Sequence, residues 1–363
     1  MEMKMTDLSE EILIRLTGKG SPTGSILQRL AYYLNQALDN KLQLSWKSSS
    51  SPSSSSLSSE AAMNYEIAFN AFYQILPFGR FAHFASNSVI MEALNKEEKG
   101  IIVIHIVDFD FDKGVQWPPI IQALSSTKRV FKLTIVKFEG EEGSSSKRVL
   151  YEYAKTFGVK LEIEEMGMEK LGMKMKKNER NEWLAFNCMV GLPHMRKRRS
   201  VSDVIEFLKI AKSSISSNFN QGTITFGDGI GWGKGVKLKE SVSYGSIFEG
   251  QLSQFEAFLE SIDTHFPHEI MREARIAIEC LFLVPYICSL IDPRMWEDIS
   301  RESRGLSEIG LKGLRMTEEN VGEAKELVKE GESYFWVNIE GLKHNQMVLG
   351  YKGTPLIKVS SWR

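Results

Sequence analysis

Residues 104–124 read IHIVDFDFDKGVQWPPIIQAL, and this stretch decides the fold. The apolar run of residues 101–107 ends in three closely spaced aspartates, after which come a single glycine and a Trp-Pro-Pro corner. An uninterrupted apolar run bounded by turn signals is typical of a strand buried on both faces. Proline is tolerated at a helix start because its missing N–H would be unpaired there anyway. The stretch therefore predicts a strand, a loop and a helix, with the loop at the carboxyl end of the strand, where open α/β sheets bind ligands.

The aspartate-rich loop has two interpretations, a ligand site or a structural turn. A phosphate site needs several glycines and the N-terminus of a helix, whereas this loop has one glycine, Gly114, and three carboxylates that would repel an anion. A ligand of the S-adenosylmethionine type fits better, because it is cationic at sulfur and needs an acid for its ribose hydroxyls. Glu139, directly after the next predicted strand at residues 131–138, stands where that acid would lie. The simpler interpretation is that Glu139 is a solvent-exposed residue at the end of the strand.

Strands alternate with helices from residue 100 onward. Further strands are predicted at residues 159–163, 183–188 and 224–226, and an antiparallel meander at residues 334–359. One intervening helix is predicted to turn four side chains inward: Val149, Leu150, Tyr153 and Phe157. Repeated βα units require a mostly parallel sheet with right-handed crossovers. The predicted architecture is a Rossmann-like, mostly parallel sheet flanked by helices and finished by a C-terminal antiparallel hairpin.

Helical periodicity dominates the chain before residue 97. Leucines recur there at spacings of three and four, which places them on one helical face: Leu27, Leu30, Leu34, Leu38 and Leu42. Residues 48–59 are almost pure serine and cannot bury enough apolar surface to order themselves, so a flexible loop is predicted there. The sequence thus predicts an N-terminal helical cap region at residues 1–97 and an α/β core at residues 98–363.

The composition excludes several functional classes. A formal net charge of −1, from 45 basic and 46 acidic residues, provides no global field toward nucleic acid or an anionic membrane, so such a contact must be a local patch. Cys188, Cys280 and Cys288 have no metal-ligand spacing and are predicted to be packed thiols of an intracellular protein. The sequence contains neither a secretory signal nor a run of about 18 apolar residues, the length that spans a membrane.

Four landmarks, in the right order over nearly the whole chain, resemble those of the plant GRAS family of transcriptional regulators. Residues 104–108 resemble its central VHIID motif, and the match continues through His105, Asp108, Gly114, Gln116, Trp117 and Pro118. Residues 28–34 and 81–85 resemble the first leucine-rich region. Arg275 and Glu279 stand where the PFYRE region carries Arg-x-x-x-Glu, and Trp362 and Arg363 resemble the SAW terminus. Within the family, the amino-acid sequence of the central motif most resembles that of the nodulation-signalling subgroup.

The resemblance implies a fold like that of class I methyltransferases and a nuclear transcriptional regulator without catalytic turnover, cofactor or membrane association. It also implies pairing, as a homodimer or heterodimer, with other GRAS proteins and with DNA-binding transcription factors, with direct DNA contact as an option. The chain begins almost at the first leucine-rich region, which predicts a scaffold or competitor without an activating tail of its own. The alternative function is an S-adenosylmethionine-dependent small-molecule methyltransferase, in which the loop after Asp108 would be expected to carry more glycine.

Candidate interaction residues follow from these patterns, each with a structural alternative. The leucines Leu30, Leu34 and Leu38 are predicted either to bind a partner or to pack in their own domain. The cluster Arg196, Lys197, Arg198 and Arg199 is either a nucleic-acid or nuclear-import patch or a solvated loop before a helix. His105, inside an apolar strand, is predicted to be a hydrogen-bonded core residue rather than a base. Residues 227–235 are predicted to form a flexible loop, because no helix follows promptly to receive a phosphate.

Overall fold

The computed structural model describes most of the chain. Its described residues are 18–46, 65–96, 100–138, 146–176, 182–195, 199–217, 222–229, 244–266, 268–290 and 309–363. For residues 38–46, 217, 244–248, 268–270 and 288–290 only the backbone is described. Several predictions therefore lie outside the described residues: the serine-rich loop 48–59, Glu139, the glycine-rich segment beyond Gly229, and the cations Arg196, Lys197 and Arg198.

The chain forms two compact units, each drawn from separate parts of the sequence. The first comprises residues 1–77, 230–299 and 351–356, and the second comprises residues 78–229, 300–350 and 357–363. The chain thus first passes from one unit to the other between Pro77 and Phe78. The division into a cap at residues 1–97 and a core at residues 98–363 stays a prediction about domains.

An eight-stranded sheet organises the second unit, although its residues 351 and 354–356, at the turn between the last two strands, belong to the first unit. Its strands are β1 Val103–Asp108, β2 Val130–Val136, β3 Leu161–Met166, β4 Glu182–Val190, β5 Gly222–Asp228, β6 Phe335–Glu340, β7 Gln346–Tyr351 and β8 Thr354–Trp362. They lie in the order β3-β2-β1-β4-β5-β8-β7-β6. The first five strands are parallel neighbours, whereas β8 pairs with β5 in the antiparallel direction. The predicted Rossmann-like sheet with an antiparallel C-terminal end is confirmed.

Helices precede and follow the strands of the second unit along the chain. They are α3 Phe78–Asn95, α4 Pro118–Leu124, α5 Ser146–Thr156, α6 Met168–Lys176, α7 Val201–Ser217 and α11 Glu318–Leu327. Helix α4 begins at the paired prolines with Trp117 as its N-cap residue, as the sequence predicts. On α5 Leu150 is buried, but the inward position predicted for Val149 is wrong, because its side chain is 67% exposed. Gly158 follows α5 with a φ of 67°, a left-handed conformation that glycine adopts without steric cost.

The core of the second unit explains why most side chains of β1 are apolar. Ile104 and Ile106 of this strand lie in one cluster with Trp117, Phe131 and Trp183, all at 2% exposure or less. Such burial on a parallel sheet requires apolar side chains along the strand, because helices cover the sheet. Burying side chains of this size stabilises the fold by roughly 1.5–3 kcal/mol each.

The first unit is helical. Its described helices are α1 Ile26–Trp46, α2 Tyr65–Ile75, α8 Tyr244–His265, α9 His268–Phe282 and α10 Val284–Leu290. Helix α1 packs against α8 and α10, and α9 packs against α2 and α10. Phe72 of α2 and Phe282 of α9 have ring centroids 4.6 Å apart. None of the helices in the described ranges combines the length and apolarity that a membrane crossing requires.

Candidate functional site

Asp108, the last residue of β1, is buried at the carboxyl edge of the sheet and accepts a hydrogen bond from each of two side chains. Trp117 Nε1 donates to its Oδ2 at 2.8 Å, and Asn187 Nδ2, from β4, donates to its Oδ1 at 3.0 Å. Burial raises the pKa of Asp108 from its ordinary value of 3.8 to about 7, although both hydrogen bonds act to lower it. Asp108 therefore joins the loop after β1 to the neighbouring strand.

Asn187 is the centre of a larger buried polar network that sequence reasoning did not single out. Its Oδ1 accepts hydrogen bonds from Ser86 Oγ at 2.7 Å, Thr225 Oγ1 at 3.0 Å and Gln116 Nε2 at 3.1 Å. Gln116 also donates to Asn87 Oδ1, and Asn87 Nδ2 donates to the backbone oxygen of Gln116. One asparagine thus ties together β4, β5, α3 and the loop that the family motif encodes. A polar residue inside the apolar run of residues 183–190 is the signal for it, since buried polar groups need partners.

The remainder of the loop after β1 fills this edge of the sheet with side chains. Phe109 and Phe111 are buried, and Phe109 packs against Phe138 and Phe207. Gly114 has a φ of 68°, and a Cβ atom added to it would lie 2.5 Å from the ring of Phe111. Gly114 therefore allows a close turn over Phe111, a structural role that needs no ligand.

Arg199 belongs to the same loop region rather than to an exposed patch. Its Nε and Nη2 donate to the two carboxylate oxygens of Asp110 at 2.9 and 2.8 Å, and both side chains are less than 10% exposed. The guanidinium also lies 3.9 Å from the ring centroid of Phe138. This bidentate geometry corrects the assignment of Arg199 to a nucleic-acid or nuclear-import patch, because the side chain is already bound within the unit. The patch stays a prediction for Arg196, Lys197 and Arg198.

His105 lies at the centre of a polar chain that crosses four strands. Its Nδ1 is 2.6 Å from Glu182 on β4, its Nε2 is 2.7 Å from Thr134 Oγ1 on β2, and Thr134 donates to Glu164 on β3. Burial lowers the pKa of His105, with Glu182 opposing the shift. Burial would raise the pKa of Glu182, but hydrogen bonds from His105 and Lys132 bring it down to about 2. Both ring nitrogens of His105 are thus hydrogen-bonded, as the core interpretation predicts.

Arg275 and Glu279 lie in the first unit, where they form a buried ionic cluster with α1. Glu279 accepts a hydrogen bond from Tyr33 Oη at 2.6 Å and lies 3.3 Å from Arg29 Nε and 3.5 Å from Arg275 Nη1. Asp263 of α8 pairs with Arg29 at 2.9 Å and with Arg275 at 3.2 Å. Two guanidinium groups and two carboxylates therefore balance, which is the condition for keeping charges in a protein interior. The Arg-x-x-x-Glu pattern on α9 holds α1 in place.

The predicted leucine stripe of α1 divides between two faces. Leu30 is 5% exposed and packs in the first unit together with Tyr33 and Ala37. Leu27 is 66% exposed, and Leu34, seven residues later on the same face, is partly exposed. The side chain of Leu38 lies outside the described residues.

The residues Trp362 and Arg363 are held in place by backbone and side-chain hydrogen bonds. Trp362 lies opposite Ile224 in the pairing of β5 with β8, and its Nε1 donates to Ser360 Oγ at 2.8 Å. The backbone of Arg363 exchanges two hydrogen bonds of 2.8 Å with Lys312, and its Nε donates to the backbone oxygen of Gly222 at 3.2 Å. These bonds fix the final residues against two other segments of the second unit.

These features define a Rossmann-like α/β protein in which the ligand edge of the sheet at β1 and β4 is occupied by its own side chains. Comparison with known proteins assigns the family. The model of the GRAS domain family matches residues 1–363. The chain belongs to the GRAS domain family, which includes transcriptional regulators.

Two similar relatives carry the same name, Protein NODULATION SIGNALING PATHWAY 2, in Lotus japonicus and Medicago truncatula. Each is 27% identical, over 99% of this chain and 72% of its own length. The crystal structure of SCL7 in Oryza sativa is 22% identical, covers 97% of this chain and 93% of its own, and has a TM-score of 0.70. At that identity the structural likeness shows the fold.

Proposed function

We propose that this protein is a nuclear transcriptional regulator that acts by pairing with other proteins and carries out no catalytic turnover. The observation that carries the proposal is the closed carboxyl edge of the sheet. Asp108 is bound by Trp117 and Asn187, and Phe109 and Phe111 fill the loop above it. A ligand at Asp108 would have to displace buried hydrogen bonds to reach it. Removing partners from buried polar groups costs about 1–3 kcal/mol for each group.

The closed edge predicts that S-adenosylmethionine does not bind at useful strength. Titration calorimetry with S-adenosylmethionine and the purified protein should give no measurable heat of binding at micromolar concentrations. Residues 108–114 also carry three carboxylates and one glycine, which suits side-chain packing better than close backbone contact with a cofactor. Micromolar binding that disappears in Asp108→Ala would support the methyltransferase alternative instead.

The exposed face of α1 supports pairing through this helix. Leu27 and Leu34 present apolar surface on the face next to the buried Leu30, and Leu27 is 66% exposed. The ionic contacts of Arg29 and the hydrogen bond of Tyr33 hold the opposite side of α1 in the first unit. The helix therefore has a fixed rotation with leucines left on the outside. We place the partner-binding role of the leucine stripe on Leu27 and Leu34, with Leu30 as their internal support.

Leu27→Glu should weaken pairing on the order of tenfold or more while leaving the melting temperature unchanged, because an exposed leucine contributes to an interface and little to its own core. Self-association is measured by sedimentation, and pairing by recovery of GRAS proteins from a plant nuclear extract on the immobilised variant. Ile67→Glu is the matched control, since Ile67 on α2 is an equally exposed aliphatic residue of the same unit at 72%. If the wild type and Leu27→Glu pair equally well, α1 is not part of the interface.

Nuclear location and DNA contact complete the proposal. GRAS proteins are regulators that in general act with other proteins, and a net charge of −1 restricts any DNA contact of this chain to a local patch. Arg199 is bound to Asp110. The other three cations of the basic cluster, Arg196, Lys197 and Arg198, are therefore proposed to mediate nuclear import or phosphate contact. DNA-binding partner proteins then supply most of the contact with DNA.

A further inference from the structure

A cleft of about 380 Å³ lies in the second unit beside the chain's last residues. The last turns of α3, the segment at Leu314 and the end of β8 form its walls. Val89, Ala93 and Leu314 give it an apolar floor. Its volume is at the lower end of the range for binding pockets and suits one or two side chains rather than a whole folded surface.

Cations predominate around this floor. Lys96, Arg315 and Arg363 line the cleft together with one acidic side chain, that of Glu92. Glu92 is already engaged, because Lys96 Nζ lies 2.5 Å from its Oε1 and Asn320 Nδ2 donates to its Oε2 at 2.9 Å. Arg315 is 68% exposed at the side chain and lies 3.8 Å from the exposed Glu318, a contact that an incoming carboxylate can replace. The lining side chains sum to a positive charge around an apolar centre.

The walls of the cleft are hydrogen-bonded to one another. Leu314 N donates to the backbone oxygen of Ser361 at 3.0 Å, and Lys312 and Arg363 exchange backbone bonds of 2.8 Å. On the other wall, Thr317 and Asn320 at the start of α11 both donate to Glu92 of α3. A cleft built this way exists before any ligand arrives, so binding loses little conformational entropy.

We propose that this cleft binds an acidic segment of a partner protein, with one apolar side chain on the floor and flanking carboxylates at Arg315, Arg363 and Lys96. The apolar floor fits a leucine-like anchor, and the excess of cations fits aspartate or glutamate on either side of it. Nucleic acid shares the negative charge but offers no aliphatic group for the floor. The cleft is formed by residues of the second unit and α1 belongs to the first, so Leu27→Glu should leave peptide binding unchanged even if the proposed pairing fails.

The test uses the full chain and a fluorescently labelled peptide in which one leucine is flanked by aspartates. Fluorescence anisotropy should show salt-sensitive binding of this peptide and none of a twin with lysine in place of aspartate. Arg315→Glu should weaken binding on the order of tenfold by placing a like charge beside the ligand. Ala93→Phe, which fills the floor without changing the charge, should weaken it by a similar factor.

Lys128→Glu is the matched control, because it makes the same charge change at an exposed position outside the cleft. It should bind the acidic peptide as the wild type does, and thermal melts confirm that each variant is folded. The proposal is overturned if the acidic peptide does not bind, or if Lys128→Glu weakens binding as much as Arg315→Glu. A DNA duplex that binds with the same dependence on both Arg315 and Ala93 would also overturn it, in favour of a nucleic-acid site.

Discussion

Replacing Glu279 by alanine should lower the free energy of unfolding by about 3–5 kcal/mol, the usual cost of removing one member of a buried charge cluster. The Glu279 side chain is fully buried and faces Arg29, Arg275 and the Tyr33 hydroxyl. Without Glu279, the two buried guanidinium groups share one carboxylate among the described residues, that of Asp263. Urea denaturation followed by circular dichroism measures the change.

Two further variants separate charge from size in this cluster. Glu279→Gln keeps an acceptor for Tyr33 but removes the charge, so its loss should be substantial and smaller than that of Glu279→Ala. Glu260→Ala on α8 is the surface control, since Glu260 pairs with the partly exposed Lys352 and such pairs contribute about 1 kcal/mol or less. Equal losses for Glu279→Ala and Glu260→Ala would contradict a stabilising role for the buried cluster.

Trp117→Ala should destabilise the second unit by about 3–5 kcal/mol, because it removes a fully buried indole and leaves a cavity in the core. Trp117→Phe isolates the hydrogen bond, since it keeps an aromatic ring but removes the Nε1–H donor to Asp108. A hydrogen bond to a charged group contributes about 1.5–3 kcal/mol, and one to a neutral group about 0.5–1.5 kcal/mol. The loss in Trp117→Phe should therefore depend on the protonation of Asp108.

The pH dependence of Trp117→Phe follows from the raised pKa of Asp108, about 7 in the folded protein. Because this pKa lies above the unfolded value, the folded state holds the proton more tightly, and the site's contribution to stability declines as the pH rises from about 4 to about 7. The variant removes a donor to the carboxylate, so its loss should be larger at pH 8 than at pH 5. Denaturation curves of both proteins at the two pH values measure this, and a pH-independent loss would show that Asp108 does not titrate in this range.

The fold was predictable because its signals are local. The apolar run before Asp108 and the prolines before α4 each act through their immediate neighbours, and the structure has the strand and the helix start where they predict. The parallel direction of the first five strands followed from the alternation of strands and helices.

The partners within the candidate site were not predictable, because they are distant in the sequence. Asn187 reaches Asp108 across 79 residues, and Tyr33 reaches Glu279 across 246. No local pattern encodes such pairs, although a polar residue inside an apolar run indicates that a partner exists. The faces of α1 were also undetermined, because spacings of three and four place Leu27 and Leu30 on overlapping faces of one helix.

The position of β8 in the sheet has a consequence for biosynthesis. This strand is formed by residues 354–362, yet it lies between β5 and β7 in the interior of the sheet. A ribosome that has released everything up to residue 353 therefore presents β5 and β7 with open edges, and open edges pair readily with strands of other chains. The second unit therefore cannot complete its sheet until residues 354–362 have been synthesised. A chain truncated shortly before residue 354 lacks this interior strand and should aggregate rather than act as a weakened regulator.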